Sequence, residues 1–194
     1  MIDWSLIAES VDFYRGRGYV YVEVPWIVSK KAVDITMPTD GSGRHLSVSG
    51  YDNHPGGNSD HLVASAEQSF LQIMMRGTMP TLGRYVAVTP CFRRESAYSA
   101  DRLPYFMKVE LIDFSGKWQS VLDDAYAFFS RKINCRIEPT DNNSADIVSR
   151  SHSIELGSYG KRSYVDDEYD MSWSYGTGIA EPRFTQTRKI LEND

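Results

Sequence analysis

The chain is poor in the features that assign a protein at a glance. It has 2 cysteines in 194 residues. Cys91 and Cys135 are far apart and show no short metal-ligand spacing, so a disulfide-dense scaffold and a zinc ribbon are excluded. Two buried thiols in a reducing, cytoplasmic setting are expected instead. Lys and Arg number 21 against 26 Asp and Glu, for a formal net charge of −5. The broad basic footprint of a nucleic-acid-binding domain is therefore missing. No apolar run is long enough to cross a membrane. The opening MIDWSLIAES has no basic region leading into an apolar one, so no signal peptide is expected. Histidines number 4. His45, His54 and His61 fall near one polar stretch, but their spacing matches no common metal site.

What is present is an ordinary globular composition, with 41% hydrophobic and 12% aromatic residues. A chain of this length can bury a core of its own, and no repeat, low-complexity tract or linker divides it. A single domain over residues 1–194 is expected.

The most informative stretch is TPCFRRESAYSADRLPYFMKVELID, residues 89–113. Two arms rich in β-branched and aromatic residues, 85–95 and 105–114, flank a polar loop at 96–104, which predicts a β-hairpin. Strand side chains alternate between faces. Arg93 and Glu95 then share one face of the first arm, and Phe106, Lys108 and Glu110 share one face of the second. Arg102 stands at the loop exit. An aromatic plate among arginines and carboxylates suits a ligand with a flat ring and a phosphate tail.

Around the hairpin, Asp3 caps a helix whose apolar face runs Trp4, Ile7, Ala8, Val11 and Tyr14. A strand is expected at 19–24, ended by Pro25. Residues 29–60 are the least regular, with a short strand at 44–49 and a turn-rich loop at 51–60. Ser65 and Gln68 form a capping-box pattern before a helix that stops at Gly77. Glu67 lies in its first turn, where the helix dipole favours an acid. An amphipathic helix follows Gly116 and should cover the back of the sheet. Residues 139–145 are expected to be a loop, and 151–156 and 162–165 to be paired strands around a turn at 157–160. The acidic run Asp166, Asp167, Glu168 and Asp170 fits a solvated turn. A last strand is expected at 172–175. Gly176-Thr177-Gly178 then opens a helix from Ile179, with Pro182 in its first turn. Gly-x-Gly lacks the third glycine of a dinucleotide fingerprint, but it permits close backbone approach, and Arg183 on the following helix needs an anionic partner.

These residues resemble the catalytic core of the class II aminoacyl-tRNA synthetases. Phe92-Arg93-Arg94-Glu95, a loop, then Arg102-Leu103-Pro104-Tyr105-Phe106 match that family's second motif. Gly176-Thr177-Gly178-Ile179-Ala180-Glu181-Pro182-Arg183 looks like its third. Residues 18–25 look like its first, which forms a dimer interface in the family. Ser65-Ala66-Glu67, Lys108-Val109-Glu110 and Glu155-Leu156-Gly157-Ser158 look most like the seryl enzymes, whereas the short loop ending ADRLPYF is closer to the aspartyl and asparaginyl enzymes.

The resemblance implies an α+β fold with an antiparallel sheet flanked by helices, and it implies the family's chemistry: ATP-dependent formation of an aminoacyl adenylate. It implies that Arg93 binds the α-phosphate of ATP, that Glu95 accepts from the adenine amino group, that Phe106 stacks on adenine, and that Arg102 and Arg183 reach the γ-phosphate. It also implies roles for Gly176 and Gly178 at the nucleotide, for Glu67 and Glu110 at the amino acid, and for Glu155 with Ser158 at Mg2+. A homodimer is implied too. The 194 residues contain neither an anticodon-binding domain nor an N-terminal coiled-coil arm. The expectation is thus a minimal or truncated ligase whose acceptor is tRNA, a carrier protein or a small molecule. The alternative is a catalytically silent paralogue that binds nucleotide or amino acid.

Overall fold

The computed structural model describes residues 1–36, 45–48, 59–79, 82–94 and 103–192, without the side chains of 59 and 60. Its centre is the expected hairpin, β5 (Arg84–Phe92) paired antiparallel with β6 (Tyr105–Asp113). Glu95 and Arg102 lie outside the described residues. Seven strands form the main sheet in the order β1-β5-β6-β10-β9-β8-β7. Only the short β1 (Val20–Tyr21) runs parallel to its neighbour. A meander of β7 (Cys135–Asp141), β8 (Ser144–Ser149), β9 (Glu155–Val165) and β10 (Asp170–Glu181) brings the end of the chain back beside β6. A smaller sheet of β2 (Ile27–Ser29), β4 (Ser59–Leu62) and β3 (Leu46–Ser47) stands apart, and α2 (Lys30–Thr36) follows β2 directly.

The two faces of the main sheet differ. Val109, Leu111, Ile147, Tyr159 and Ile179 pack on one face against Tyr14 of α1 (Trp4–Arg15) and Val121, Phe128 and Phe129 of α4 (Trp118–Phe129). This is the larger core, where apolar burial contributes most to stability. On the other face, Phe70, Leu71 and Met74 of α3 (Ala66–Met75) cover Tyr85, Ala87, Ile112 and Trp173. Strand residues beyond α3 on this face carry the charged side chains of the hairpin.

Several elements depart from expectation. The first strand is only two residues long, because past Val22, whose N–H donates to Val86 O, the chain leaves the sheet and Val24 packs under α3. Residues 139–145 form most of a hairpin rather than a loop. Pro139 is tolerated because β7 is the outermost strand of the sheet, where proline is accommodated. The turn expected at 157–160 is the middle of β9, held by β8 on one side and β10 on the other. β10 likewise does not end at Tyr175. It runs through the Gly-x-Gly to Glu181 because β6 supplies a partner as far as that residue. The last helix, α5 (Arg183–Glu192), therefore starts four residues later than expected. Buried Glu181 caps it, accepting from Thr185 N at 3.1 Å and Thr185 Oγ1 at 2.9 Å.

Candidate functional site

The site begins at the N-terminus of α3. Ser65 is extended, and its Oγ accepts from Glu67 N at 3.3 Å. The reciprocal half of the capping box does not form. Gln68 Oε1 instead accepts from Ala64 N at 2.8 Å, and its amide donates to Thr36 Oγ1 at 3.0 Å, tying α3 to α2. The Ser65 hydroxyl donates across to Glu110 Oε2 at 2.9 Å. Lys108, two residues away on the same face of β6, donates to Glu110 Oε1 at 2.9 Å. Both oxygens of this buried carboxylate are thus engaged.

Glu67 is also buried and doubly held. Trp173 Nε1 donates to Oε1 at 2.6 Å, and Arg162 Nη1 donates to Oε2 at 2.8 Å. Burial pushes its carboxyl above the ordinary value, while the Arg162 guanidinium and the Trp173 N–H pull the other way. The Arg162 guanidinium lies 4.5 Å from the centre of the Tyr175 ring. These groups, with Arg93, Lys108 and Ser158, line a pocket of about 250 Å3.

Next to the pocket, Phe106 is nearly buried and two guanidiniums face it, Arg93 at 5.1 Å and Arg183 at 5.8 Å from the ring centre. Arg93 is steadied by Nε donating to Ala64 O at 3.3 Å. Arg183 reaches it from the first turn of α5 and pairs with Glu155 at 3.3 Å. Glu155 and Ser158 are three apart, which on a regular strand puts them on opposite faces. The register of β9 against β8 shifts by one residue between Glu155 and Gly157, and this bulge returns the two side chains to one face. Among the described residues, no group of three or more His, Cys, Asp or Glu side chains is placed to hold a metal ion.

The structure thus gathers Glu67, Arg93, Phe106, Glu110, Ser158, Glu155 and Arg183 on one side of the sheet. The places where side chains of Gly176 and Gly178 would stand point the other way. A Cβ at Gly176 would meet Tyr159 and Val121, and one at Gly178 would meet Val109 and Tyr14, all in the back core. Arg162 and Tyr175 were not among the expected site residues. Strand alternation from Ser158 would have found Arg162 had 157–160 been read as strand, and Tyr175 faces Gly160 across the β9–β10 pair.

No family model matches the chain. Over 121 residues it is 29% identical to the serine–tRNA ligase of Cenarchaeum symbiosum, a match covering 59% of the chain and 28% of that protein. Over 139 residues it is 30% identical to the serine–tRNA ligase of Picrophilus torridus, covering 68% and 29%. The matches therefore span under a third of the length of these curated relatives. Among solved structures, a pyrrolysyl-tRNA synthetase from Desulfitobacterium hafniense superposes with a TM-score of 0.69 at 16% identity, over 95% of the chain and 68% of that protein. Seryl-tRNA synthetase from Pyrococcus horikoshii, solved with ATP, gives 0.69 at 17% identity, over 92% and 48%. The sheet, its flanking helices and these superpositions together give the chain the catalytic fold of the class II aminoacyl-tRNA synthetases.

Proposed function

We propose that this chain is a single catalytic domain that activates a small carboxylic acid, of the amino-acid class, with ATP. The observation that carries the reading is Phe106 with the Arg93 and Arg183 guanidiniums 5.1 and 5.8 Å from its ring centre, beside a polar pocket. An aromatic plate takes adenine, and the two cations take phosphate. Glu95 and Arg102, outside the described residues, are assigned to the nucleotide by the resemblance alone, and Gly176 and Gly178 contribute strand backbone beside it. The acid's carboxylate attacks the α-phosphorus in line, the bond to pyrophosphate breaks, and an acyl adenylate forms. No protein nucleophile is required. Arg93 stabilises the charge that grows on the α-phosphate, and the pocket fixes the attacking carboxylate.

Glu155 and Ser158 fit Mg2+ in the way nucleotide enzymes use it, as one carboxylate and a hydroxyl supplementing phosphate oxygens. When bound, the ion would neutralise phosphate charge. Glu67 and Glu110 belong to the acid-binding half. The cytoplasm is the proposed location, and tRNA, a carrier protein and a small molecule are the acceptor classes. The exposed Val20, Tyr21 and Trp26 lie on or just beyond the sheet's short edge strand and fit a homodimer contact.

The test is exchange of labelled pyrophosphate into ATP across a panel of amino and carboxylic acids. Exchange is expected with at least one, and Arg93→Ala should reduce it by about 100-fold or more while leaving the fold intact. Unchanged exchange in that variant would remove Arg93 from the phosphate site. A second reading, a nucleotide-binding paralogue without ligase activity, draws support from Glu67 and Glu110 each having both oxygens hydrogen-bonded within the protein. ATP binding with no exchange on any acid would favour it.

A further inference from the structure

Arg93 is steadied from a distance. Its Nε donates to Ala64 O at 3.3 Å, and the N–H of the same Ala64 donates to Gln68 Oε1 at 2.8 Å. Gln68 is buried, and its amide donates in turn to Thr36 Oγ1 at 3.0 Å. Thr36 is the last residue of α2, a helix of 7 residues. So short a helix depends on tertiary contacts. Its buried residues, Ala32 and Val33, share a small core with Val28 and Val63. Near its other end the helix is held by charge. Lys31 Nζ lies 2.9 Å from Asp166 Oδ2, 3.0 Å from Glu168 Oε2 and 4.5 Å from the centre of the Tyr169 ring. That anchor is itself well braced. Asp166 Oδ1 accepts from Glu168 N at 2.9 Å and Tyr169 N at 2.7 Å, closing the turn between β9 and β10. The Tyr169 hydroxyl donates to Met75 O at 3.3 Å, which ties the turn to the end of α3.

From this chain of contacts we propose that Lys31 is a positioning residue for Arg93. It clips α2 to the β9–β10 turn, and through Thr36, Gln68 and Ala64 it sets where the Arg93 guanidinium stands. Lys31 acts from outside the site pocket, which it does not line. Lys31 and Thr36 are five residues apart, about 7.5 Å along the helix axis, so a displacement at one end of α2 is felt at the other. The Ala64 peptide carries two links of the relay, its N–H toward Gln68 and its C=O toward Arg93, and moves both together. One exposed ion pair contributes little, but two carboxylates and a ring around a single ammonium form a network. The consequence for catalysis rests on the adenylation reading, which places Arg93 at phosphate. The coupling from Lys31 to Ala64 stands apart from that reading.

The experiment is amide hydrogen exchange of the full chain, resolved by residue with NMR, in the parent, Lys31→Met, Lys31→Arg, Thr36→Val and Lys31→Met/Thr36→Val. The quantity read is the exchange rate of Ala64 N–H relative to that of Val109, a fully buried residue of the central strand β6. Lys31→Met should raise this ratio about 5-fold, and Lys31→Arg, which keeps the charge, should restore it. Thr36→Val removes the hydroxyl that Gln68 donates to, so it should raise the ratio by itself, and adding Lys31→Met should then change little. A merely structural clip would loosen α2 and residues 166–169 and leave the Ala64 ratio unchanged, which overturns the proposal. An equal effect of Lys31→Met with and without the Thr36 hydroxyl overturns the relay. Pyrophosphate exchange with an acid that the parent activates is the second arm: Lys31→Met should lower it about 5-fold and Lys31→Arg should recover it. An active parent with unchanged exchange in Lys31→Met overturns the positioning of Arg93. If Ala64 responds as expected but the parent activates no acid, the adenylation reading falls and the coupling holds. If the parent is active and Ala64 does not respond, the coupling falls and the adenylation reading holds.

Discussion

Gly176→Ala separates two roles for the glycines of β10. The added Cβ would stand 2.6 Å from Tyr159 Cδ1 and 2.7 Å from Val121 Cγ1. Carbon atoms rest about 3.5–4.0 Å apart, so each contact is short by about 1 Å. Neither neighbour can yield easily. Tyr159 is fully buried, with its hydroxyl donating to Thr177 O at 2.7 Å, and Val121 is fully buried on α4. Overpacking of this kind costs about 1–3 kcal/mol, and two fixed neighbours place it in the upper part of that range. Removing a glycine restricts the unfolded chain and returns about 0.4–1 kcal/mol. The net loss should be about 2 kcal/mol, or about 4–8 °C in Tm for a chain of this size. Urea unfolding followed by tryptophan fluorescence reads it, with buried Trp173 as the main reporter. A variant as stable as the parent would refute the packing argument. Nucleotide affinity should be largely retained. An affinity loss of about 10-fold, with stability unchanged, would instead make the glycine a phosphate-approach residue.

Other outcomes follow from the same structure. Both thiols are buried, and burial pushes Cys91 up to about 11, so native protein should resist thiol reagents at pH 8 while denatured protein titrates two; fast stoichiometric labelling of the native state would contradict this. The Asp166 carboxyl is held below its ordinary value of 3.8, chiefly by the hydrogen bond from Lys31. A depressed acid stabilises the fold above its unfolded value and loses that contribution as pH falls through the folded one. Stability should therefore fall less between pH 5 and pH 2 in Asp166→Asn than in the parent, and identical pH profiles would count against the Lys31 contact. Light scattering should give a dimer, and Val20→Glu should shift it toward monomer; a monomeric parent at high concentration removes the edge-strand interface.

The hairpin was legible because everything that shapes it is local. Alternation along Phe106, Lys108 and Glu110 fixes their shared face, and the partner strand lies just across a loop. Arg93 and Phe106 are therefore neighbours in any fold that keeps the hairpin. The glycines of β9 and β10 were misjudged for the opposite reason. Gly157, Gly160, Gly176 and Gly178 resemble turn residues when seen along the chain. They sit inside strands because bulky residues from elsewhere, such as Tyr159 against Gly176 and Tyr14 against Gly178, occupy the space a side chain would take. Local preference yields when tertiary pairing supplies hydrogen bonds on both edges.

The pairing of Arg162 with Glu67 spans 95 positions and left no local trace. The rest of that face depends on two register events. The bulge in β9 brings Glu155 to the same face as Ser158, and from there regular alternation carries that face to Arg162. The shift in β10 between Thr177 and Ile179 keeps Thr177 opposite Glu110 while bringing Ala180 opposite Lys108. A one-residue slip turns every later side chain to the other face. Without the first bulge, Glu155 would face the back core while Ser158 stayed at the pocket, and its pair with Arg183 could not form. Without the second, Ala180 would turn away from the face that carries Lys108. The residues around Phe106 and those around Glu67 and Glu110 thus face the same space because two strands each contain one extra residue. Periodicity cannot foresee such insertions, which only the pairing of the strands reveals.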